Sequence, residues 1–302
     1  LPWAVIKKAT NHSGKWNTII FKNYLIQEEY DAAIAFRQCA PCYYFVLNCT
    51  NAKKKIAFMH GDVEHMGDIS SFDSFFNGFD FVACVSNAVR DGFKKAYSQL
   101  DSRFVTVYNM VDVDSVLEMS QEEPERSLYR KGHIILTVSR IEESPKKIHC
   151  ITEICKLLIE KGICDFHWYV VGDGPDIKKN IEYSEKMGVS QYLTFYGGTE
   201  NPYPLYRKCD FTVLTSSWES YGLVVVESLI LGKPVIAMRY PALTEILEDG
   251  KFGIITEQCV SDMAKKLADV LTNNAFLDEL KTNCSYYKFS NDAAYNQFMA
   301  LL

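Results

Sequence analysis

Two carboxylates, Glu219 and Glu227, bracket Ser220-Tyr221-Gly222-Leu223-Val224-Val225-Val226, and an apolar run continues to Leu231. The pattern predicts a helix from about Tyr221 to Leu231, capped by Ser220 and closed by Gly232. Gly222 would let a ligand approach the backbone closely. The unpaired N–H groups at such a helix start, together with the positive end of its dipole, make a phosphate site. Glu227 falls well inside the helix, among Val224, Val225, Val226, Leu229 and Ile230. A carboxylate placed there needs donors. The vicinal hydroxyls of a ribose would serve, as they do for acidic residues in dinucleotide sites. Glu219, ahead of the helix, would then face whatever lies beyond the phosphates. From the pattern alone, a lysine partner for Glu227 and an exposed Glu219 fit equally well.

A second polar group follows the predicted strand Ile134-Ile135-Leu136-Thr137-Val138: Ser139-Arg140-Ile141-Glu142-Glu143-Ser144-Pro145-Lys146-Lys147. Arg140 and Lys146 would sit at a strand's carboxyl end, where cations clamp a diphosphate, although a solvated loop has the same composition. Val170-Val171-Gly172-Asp173-Gly174-Pro175 suggests a dinucleotide fingerprint, but its third glycine would stand where Ile177 is, and Pro175 starts a helix instead. Nicotinamide and flavin chemistry is disfavoured on that ground. Cys39-Ala-Pro-Cys42 has the spacing of a thioredoxin-like dithiol, which needs its first cysteine at a helix N-terminus. Tyr43-Tyr44-Phe45-Val46-Leu47 predicts a strand there, against that chemistry. His60 with Glu64 and His65 has no third zinc ligand at a usual spacing.

What must position these residues is a chain of 302 residues, enough for two domains. Hydrophobic content is 48 %, ordinary for a globular protein, and no apolar run reaches the ~20 residues of a membrane span. The net charge of −6 is spread evenly over the two halves, which argues against broad nucleic-acid binding. The clusters Lys7-Lys8, Lys53-Lys54-Lys55 and Lys94-Lys95 fit solvated faces better than a peripheral contact with an anionic membrane. Ten cysteines scattered singly suit reduced thiols and a cytoplasmic location. Strands expected at 30–36, 55–60, 79–85 and 104–108 alternate with helices, among them one capped by Ser86, and a polar stretch over 117–131 predicts a linker. A second series runs from Ile134 to Ala237. Near-continuous apolar strands between helices imply parallel sheets covered on both faces. The expectation is α/β, two Rossmann-like doubly wound domains meeting near residue 130.

Together these features resemble the retaining glycosyltransferases of family 4, with the two-domain GT-B fold. The likeness is strongest from His133 to Thr256. Glu219 and Glu227 form its Glu-seven-residues-Glu pattern, Ser139-Arg140 with Lys146 its diphosphate pair, and Gly172-Asp173-Gly174-Pro175 and Phe195-Tyr196-Gly197 its next landmarks. Asn201-Pro202-Tyr203-Pro204 and Ala242-Leu243-Thr244-Glu245-Ile246-Leu247 are similar to the subset that builds bacterial capsules and surface polysaccharides. The resemblance implies domains at 1–128 and 129–285, with 286–302 a helix crossing back to the first. It implies transfer of a hexose from a nucleotide sugar, a UDP-sugar, to a growing glycan or lipid-linked acceptor, in the cytoplasm, with peripheral contact at the inner face of the membrane as an option. Arg140 and Lys146 would neutralise the departing diphosphate, aided by the backbone at Gly222 and Leu223. Glu227 would hold the ribose, Glu219 the donor hexose and His60 the sugar from the other domain. Gly172, Thr199 and Tyr221 would complete the donor site. No metal or other cofactor is implied. Asp112-Val113-Asp114 copies the metal-binding triplet of GT-A glycosyltransferases but stands where family 4 has a turn. The family opens with a strand and a glycine-rich loop, and nothing before Tyr30 looks like that, so the first domain is expected to lack its leading part. The alternative expectation is a nucleotide-sugar-binding fragment without turnover of its own.

Overall fold

A computed structural model describes residues 25–65, 74–128 and 132–302. Lys7-Lys8 and most of the stretch ahead of Tyr30 lie outside them. The chain divides into two compact units, one running to Met110 and taking in Asn291–Leu302, the other comprising Val111–Ser290.

In the first unit, strands β1 (Glu29–Ala35), β2 (Asn51–Met59), β3 (Phe81–Cys84) and β4 (Phe104–Thr106) form a parallel sheet in that order. Successive side chains of a strand point to opposite faces, and both faces are apolar. Ile56 and Phe58 pack with Ala83, Val107 and Leu301. On Met59, the sulfur accepts the Tyr43 hydroxyl at 3.0 Å. Helix α1 (Ala40–Cys49) joins β1 to β2, and α2 (Asn87–Ala96) joins β3 to β4. The Ser86 side chain accepts from Val89 N at 3.1 Å, the cap its sequence position predicts. The C-terminal helix Asp292–Met299 belongs to this unit: Gln297 Oε1 accepts from Tyr108 N at 3.0 Å, and Phe298 lies 6.5 Å from the Phe58 ring.

The strand expected after Cys42 is a helix. Pro41 in the first turn pre-sets the helical φ and lacks an N–H that would have no partner there. The β-like composition of Tyr43–Leu47 yields to burial of Tyr43 and Val46 on one helix face. The lysines 53 to 55 are each engaged within this unit: Lys53 pairs with Asp31 at 2.9 Å, Lys54 lies over the Phe81 ring and Lys55 donates to Leu47 O.

The second unit begins with α3 (Val113–Met119), which the expected linker overlaps. The polar residues after it are held to the unit by side chains. Tyr196 exchanges hydrogen bonds with the backbone N–H and carbonyl of Arg126, both 2.9 Å, and Asn201 Nδ2 donates to Met119 O. Residues 111–128 therefore group with the second unit, whereas the boundary implied by the resemblance put them in the first. Six parallel strands follow: β5 (His133–Val138), β6 (Phe166–Val171), β7 (Leu193–Gly197), β8 (Phe211–Leu214), β9 (Val235–Met238) and β10 (Gly253–Thr256). Between them lie α4 (Glu143–Lys146), α5 (His149–Glu160), α6 (Ile177–Lys186), α7 (Tyr203–Lys208), α8 (Leu223–Ile230) and α9 (Leu243–Leu247). Helices α10 (Val260–Thr272) and α11 (Asn274–Ser285) close the unit. Ile135 and Trp168 face one core layer, Ile134, Leu136 and Tyr169 the other. Each such aliphatic side chain stabilises the fold by about 1.5–3 kcal/mol when fully buried. Trp168 Nε1 donates to Thr137 Oγ1 at 3.0 Å, and that hydroxyl donates to Val213 O at 2.7 Å, so the polar atoms of the sheet centre are paired. Among the described residues, no helix is long and apolar enough to cross a membrane.

Candidate functional site

The second sheet has the strand order β10-β9-β8-β5-β6-β7. The chain winds outward from β5 in one direction and from β8 in the other, so the switch point lies between these neighbours. The segments leaving β5 and β8 at their carboxyl ends are therefore adjacent, and they are bonded together. Ser217 N donates to Pro145 O at 2.9 Å and Thr215 Oγ1 to Lys146 O at 2.9 Å. Gln258, after β10, donates to the carbonyls of Ser216, Ser217 and Arg239.

Lys146 Nζ lies 2.5 Å from Glu219 Oε1, with side chains only 20 % and 15 % exposed. Ser216 Oγ donates to the same carboxylate oxygen at 2.8 Å. Glu219 is thus neither exposed nor idle: it is held by the cation seventy-three positions away in sequence. Helix α8 starts later than expected. Its N-cap is Gly222, at φ 100° and ψ 57°, and not Ser220. A Cβ at Gly222 would stand 2.4 Å from the Tyr240 hydroxyl, so both the left-handed backbone and the space demand glycine. Leu223 begins the helix 41 % exposed, and Tyr221 is buried just ahead of it.

Glu227 lies on the same helix, partly buried, and burial raises its pKa. Its hydrogen-bond partner is the Tyr203 hydroxyl of α7, which donates to Oε1 at 3.3 Å. Among the described residues no lysine or arginine pairs with it. Burial and the nearby Glu227 push the Tyr203 hydroxyl up to about 12. Two more tyrosines back the pair of glutamates. The hydroxyls of Tyr206 and Tyr240 are buried without a hydrogen-bond partner among the described residues. Both are held protonated by burial first, then by Glu227 beside Tyr206 and by Glu219 beside Tyr240. Sequence reasoning missed these three tyrosines in their roles. Only the Asn201-Pro202-Tyr203-Pro204 match touched one of them.

Arg140, Gly172 and Thr199 line one cavity of about 310 Å³, together with Pro202 and Val224. The Arg140 side chain is 67 % exposed, with Nε 3.3 Å from Glu142. Thr199 Oγ1 donates to Glu125 Oε1 at 2.9 Å. Gly172, at φ 139°, leaves no room for a side chain, since a Cβ would stand 1.9 Å from Ser139 O. The glycine permits the chain leaving β6 to lie close against the backbone leaving β5, which accounts for Gly172 without a dinucleotide. His60 lies in the first unit, where its ring Nε2 is 2.8 Å from Phe36 O and its backbone N–H donates to Gln38 Oε1 at 2.7 Å.

Asp112 caps α3, accepting from the N–H and hydroxyl of Ser115 at 3.1 and 2.8 Å, and the backbone bond first of all lowers its pKa. His65 turns to Asp62, 3.4 Å away. Among the described residues the side chains that could hold a metal are His149, Cys150 and Glu153, with ligand atoms within 4.8 Å of one another.

The family model for glycosyl transferases group 1 matches residues 119–290. The N-acetyl-alpha-D-glucosaminyl L-malate synthase of Bacillus anthracis is 24% identical over 199 residues, covering 64% of this chain and 51% of the synthase. An uncharacterized 41.2 kDa protein in the cps region of Klebsiella pneumoniae is 24% identical over 271 residues, 86% of this chain and 68% of that protein. Among solved structures, a mutant of S. aureus TarM in complex with fondaparinux, alpha-GlcNAc-glycerol and UDP superposes with a TM-score of 0.69 at 21% identity, covering 86% of this chain and 52% of that one. The chain thus spans about half the length of the synthase and of TarM. At these identities the structural likeness establishes the fold, which is that of the GT-B glycosyltransferases.

Proposed function

This chain belongs to the glycosyl transferases of group 1, and from that premise we propose that it serves retaining transfer of a hexose from a UDP-sugar to a growing glycan or lipid-linked acceptor in surface-polysaccharide synthesis. The observation that carries the proposal is the Lys146–Glu219 ion pair, 2.5 Å long, beside the glycine-capped start of α8 at the switch point of the sheet.

The arrangement suits a donor that brings both negative charge and hydroxyls. An incoming diphosphate takes over Lys146, with Arg140 and the backbone at Gly222 and Leu223 supplying further donors. Fixed cations of this kind neutralise the leaving group without a metal. Once Lys146 turns to phosphate, the Glu219 carboxylate is released to accept from hydroxyls of the transferred hexose. Glu227 has one oxygen engaged by Tyr203, and the other, without a hydrogen-bond partner among the described residues, would take the ribose. Gly172 and Thr199, which share a cavity with Arg140, serve the nucleoside, with Tyr221 packed at the head of the helix. The UDP in the TarM complex supports the choice of donor.

A melting-temperature series with UDP, GDP, ADP and their sugars tests the proposal. UDP and its sugars should raise the melting temperature above the other nucleotides. A ligand at 100 times its Kd adds about 2.7 kcal/mol to the native state. A flat response to every nucleotide would refute a donor site.

A further inference from the structure

The dithiol spacing at Cys39-Ala-Pro-Cys42 looked unsuitable for redox chemistry because a strand was expected after it. With a helix there, the objection disappears. Cys39 is the N-cap of α1, in extended conformation (φ −157°, ψ 146°), and Pro41 lies in the first turn. The Cys39 thiol lies 3.1 Å from the Cys42 sulfur, one helical turn on. Both side chains are partly exposed, whereas Cys49, Cys84, Cys150, Cys155, Cys209 and Cys284 are buried. The first turn of α1 carries no acidic residue, so nothing on that turn offsets the positive end of its dipole.

We propose that Cys39 and Cys42 form a thiol–disulfide exchange site that reacts with low-molecular-weight disulfides of the glutathione class. The Cys39 thiolate attacks one sulfur of the incoming disulfide, forming a mixed disulfide and releasing one thiol. Cys42 then gives up its proton and attacks the Cys39 sulfur, expelling the second thiol. Two protein thiols are oxidised to one disulfide, and one small disulfide is reduced to two thiols. The order of attack follows from the unequal sulfurs. Cys39 is the N-cap residue, standing ahead of the first turn of α1 and partly exposed. Cys42 sits inside the turn, and burial, then the Cys39 sulfur, push its pKa up to about 11. Near neutral pH such a thiol stays protonated, which suits a resolving group and not an attacking one. The reaction needs neither UDP nor the second unit, so its failure and that of the donor site are read separately.

The test uses the full chain, reduced and then incubated with oxidised glutathione, with intact mass and peptide mapping. Wild-type protein should lose two hydrogen atoms and yield a linked peptide across Cys39 and Cys42, with no glutathione retained on either. Cys42→Ser should accumulate one glutathione on Cys39, and Cys39→Ser should leave Cys42 at least tenfold less modified. Cys259 is the internal control: it is exposed, and the Ser261 hydroxyl lowers its pKa. Its sulfur meets the Ser261 hydroxyl and not a second thiol, so it should keep its adduct. Stable glutathione on Cys39 in wild-type protein would overturn the proposal. So would an unreacted 39–42 peptide while Cys259 is modified. Wild-type peptide mapping decides the matter even where a serine variant folds poorly.

Discussion

Replacing Glu227 by glutamine keeps the shape of the side chain and removes its charge. The carboxylate has two oxygens, and Tyr203 occupies Oε1 at 3.3 Å. In the variant the one remaining amide oxygen stays with Tyr203, and the amide NH₂ is left facing the ribose hydroxyls as a donor. A hydrogen bond to a charged group is worth about 1.5–3 kcal/mol, so UDP affinity should fall by about 10- to 100-fold. The unliganded protein should be as stable or more stable, because a desolvated charge has been removed. The pH dependence has a definite sign. Burial raises the Glu227 pKa in the folded state above its unfolded value. Between the two values the folded protein binds more protons, so this group lowers stability as pH rises through that window. Glutamine abolishes the slope. UDP binding to the parent should weaken as pH falls through the raised pKa, and the variant's should not. Isothermal titration with UDP and 2′-deoxy-UDP, alongside melting curves, measures all of this. The deoxy nucleotide should separate parent from variant poorly, since the group Glu227 holds is partly gone. A variant that melts lower while keeping full UDP affinity would refute the ribose assignment.

Glu219→Gln releases Lys146 from its partner, so UDP itself should bind as well or better, while sugar transfer falls by at least tenfold. Weaker UDP binding in a folded variant would contradict the exchange of Lys146 from carboxylate to phosphate. Arg140→Ala removes a cation whose side chain is 67 % exposed. It should leave the melting temperature nearly unchanged and weaken UDP binding by about tenfold, the loss of one charge-assisted hydrogen bond. EDTA should leave UDP affinity unaltered in calorimetry, because the diphosphate partners proposed here are side chains and backbone. A strict manganese or magnesium requirement would count against them.

Much of this protein is legible in residue order. Apolar strands at Ile134–Val138, Phe166–Val171 and Phe211–Leu214 lie within a residue of their observed bounds, because a strand buried on both faces leaves a run of apolar residues that no helix between them interrupts. Ser86 as a cap and Arg140 on a loop were visible for similarly local reasons. The start of α8 was not. Ser220 is the better cap by type, but Gly222 alone accepts φ 100° with the Tyr240 hydroxyl beside it, and Tyr240 comes from another strand's end. The helix after Cys42 was misjudged because β propensity reflects a packing environment that five aromatic and branched residues cannot specify by themselves. The partners of the two glutamates were beyond reach for the same reason. Lys146 meets Glu219 only because the strand order sets β5 against β8, and Tyr203 meets Glu227 only because α7 packs near α8. Residue types and spacing determined which groups carry charge and which segments are buried. Which charge meets which, and so whether a buried carboxylate rests on a tyrosine or a lysine, was decided by the tertiary fold, because those contacts span sequence separations over which no local preference acts.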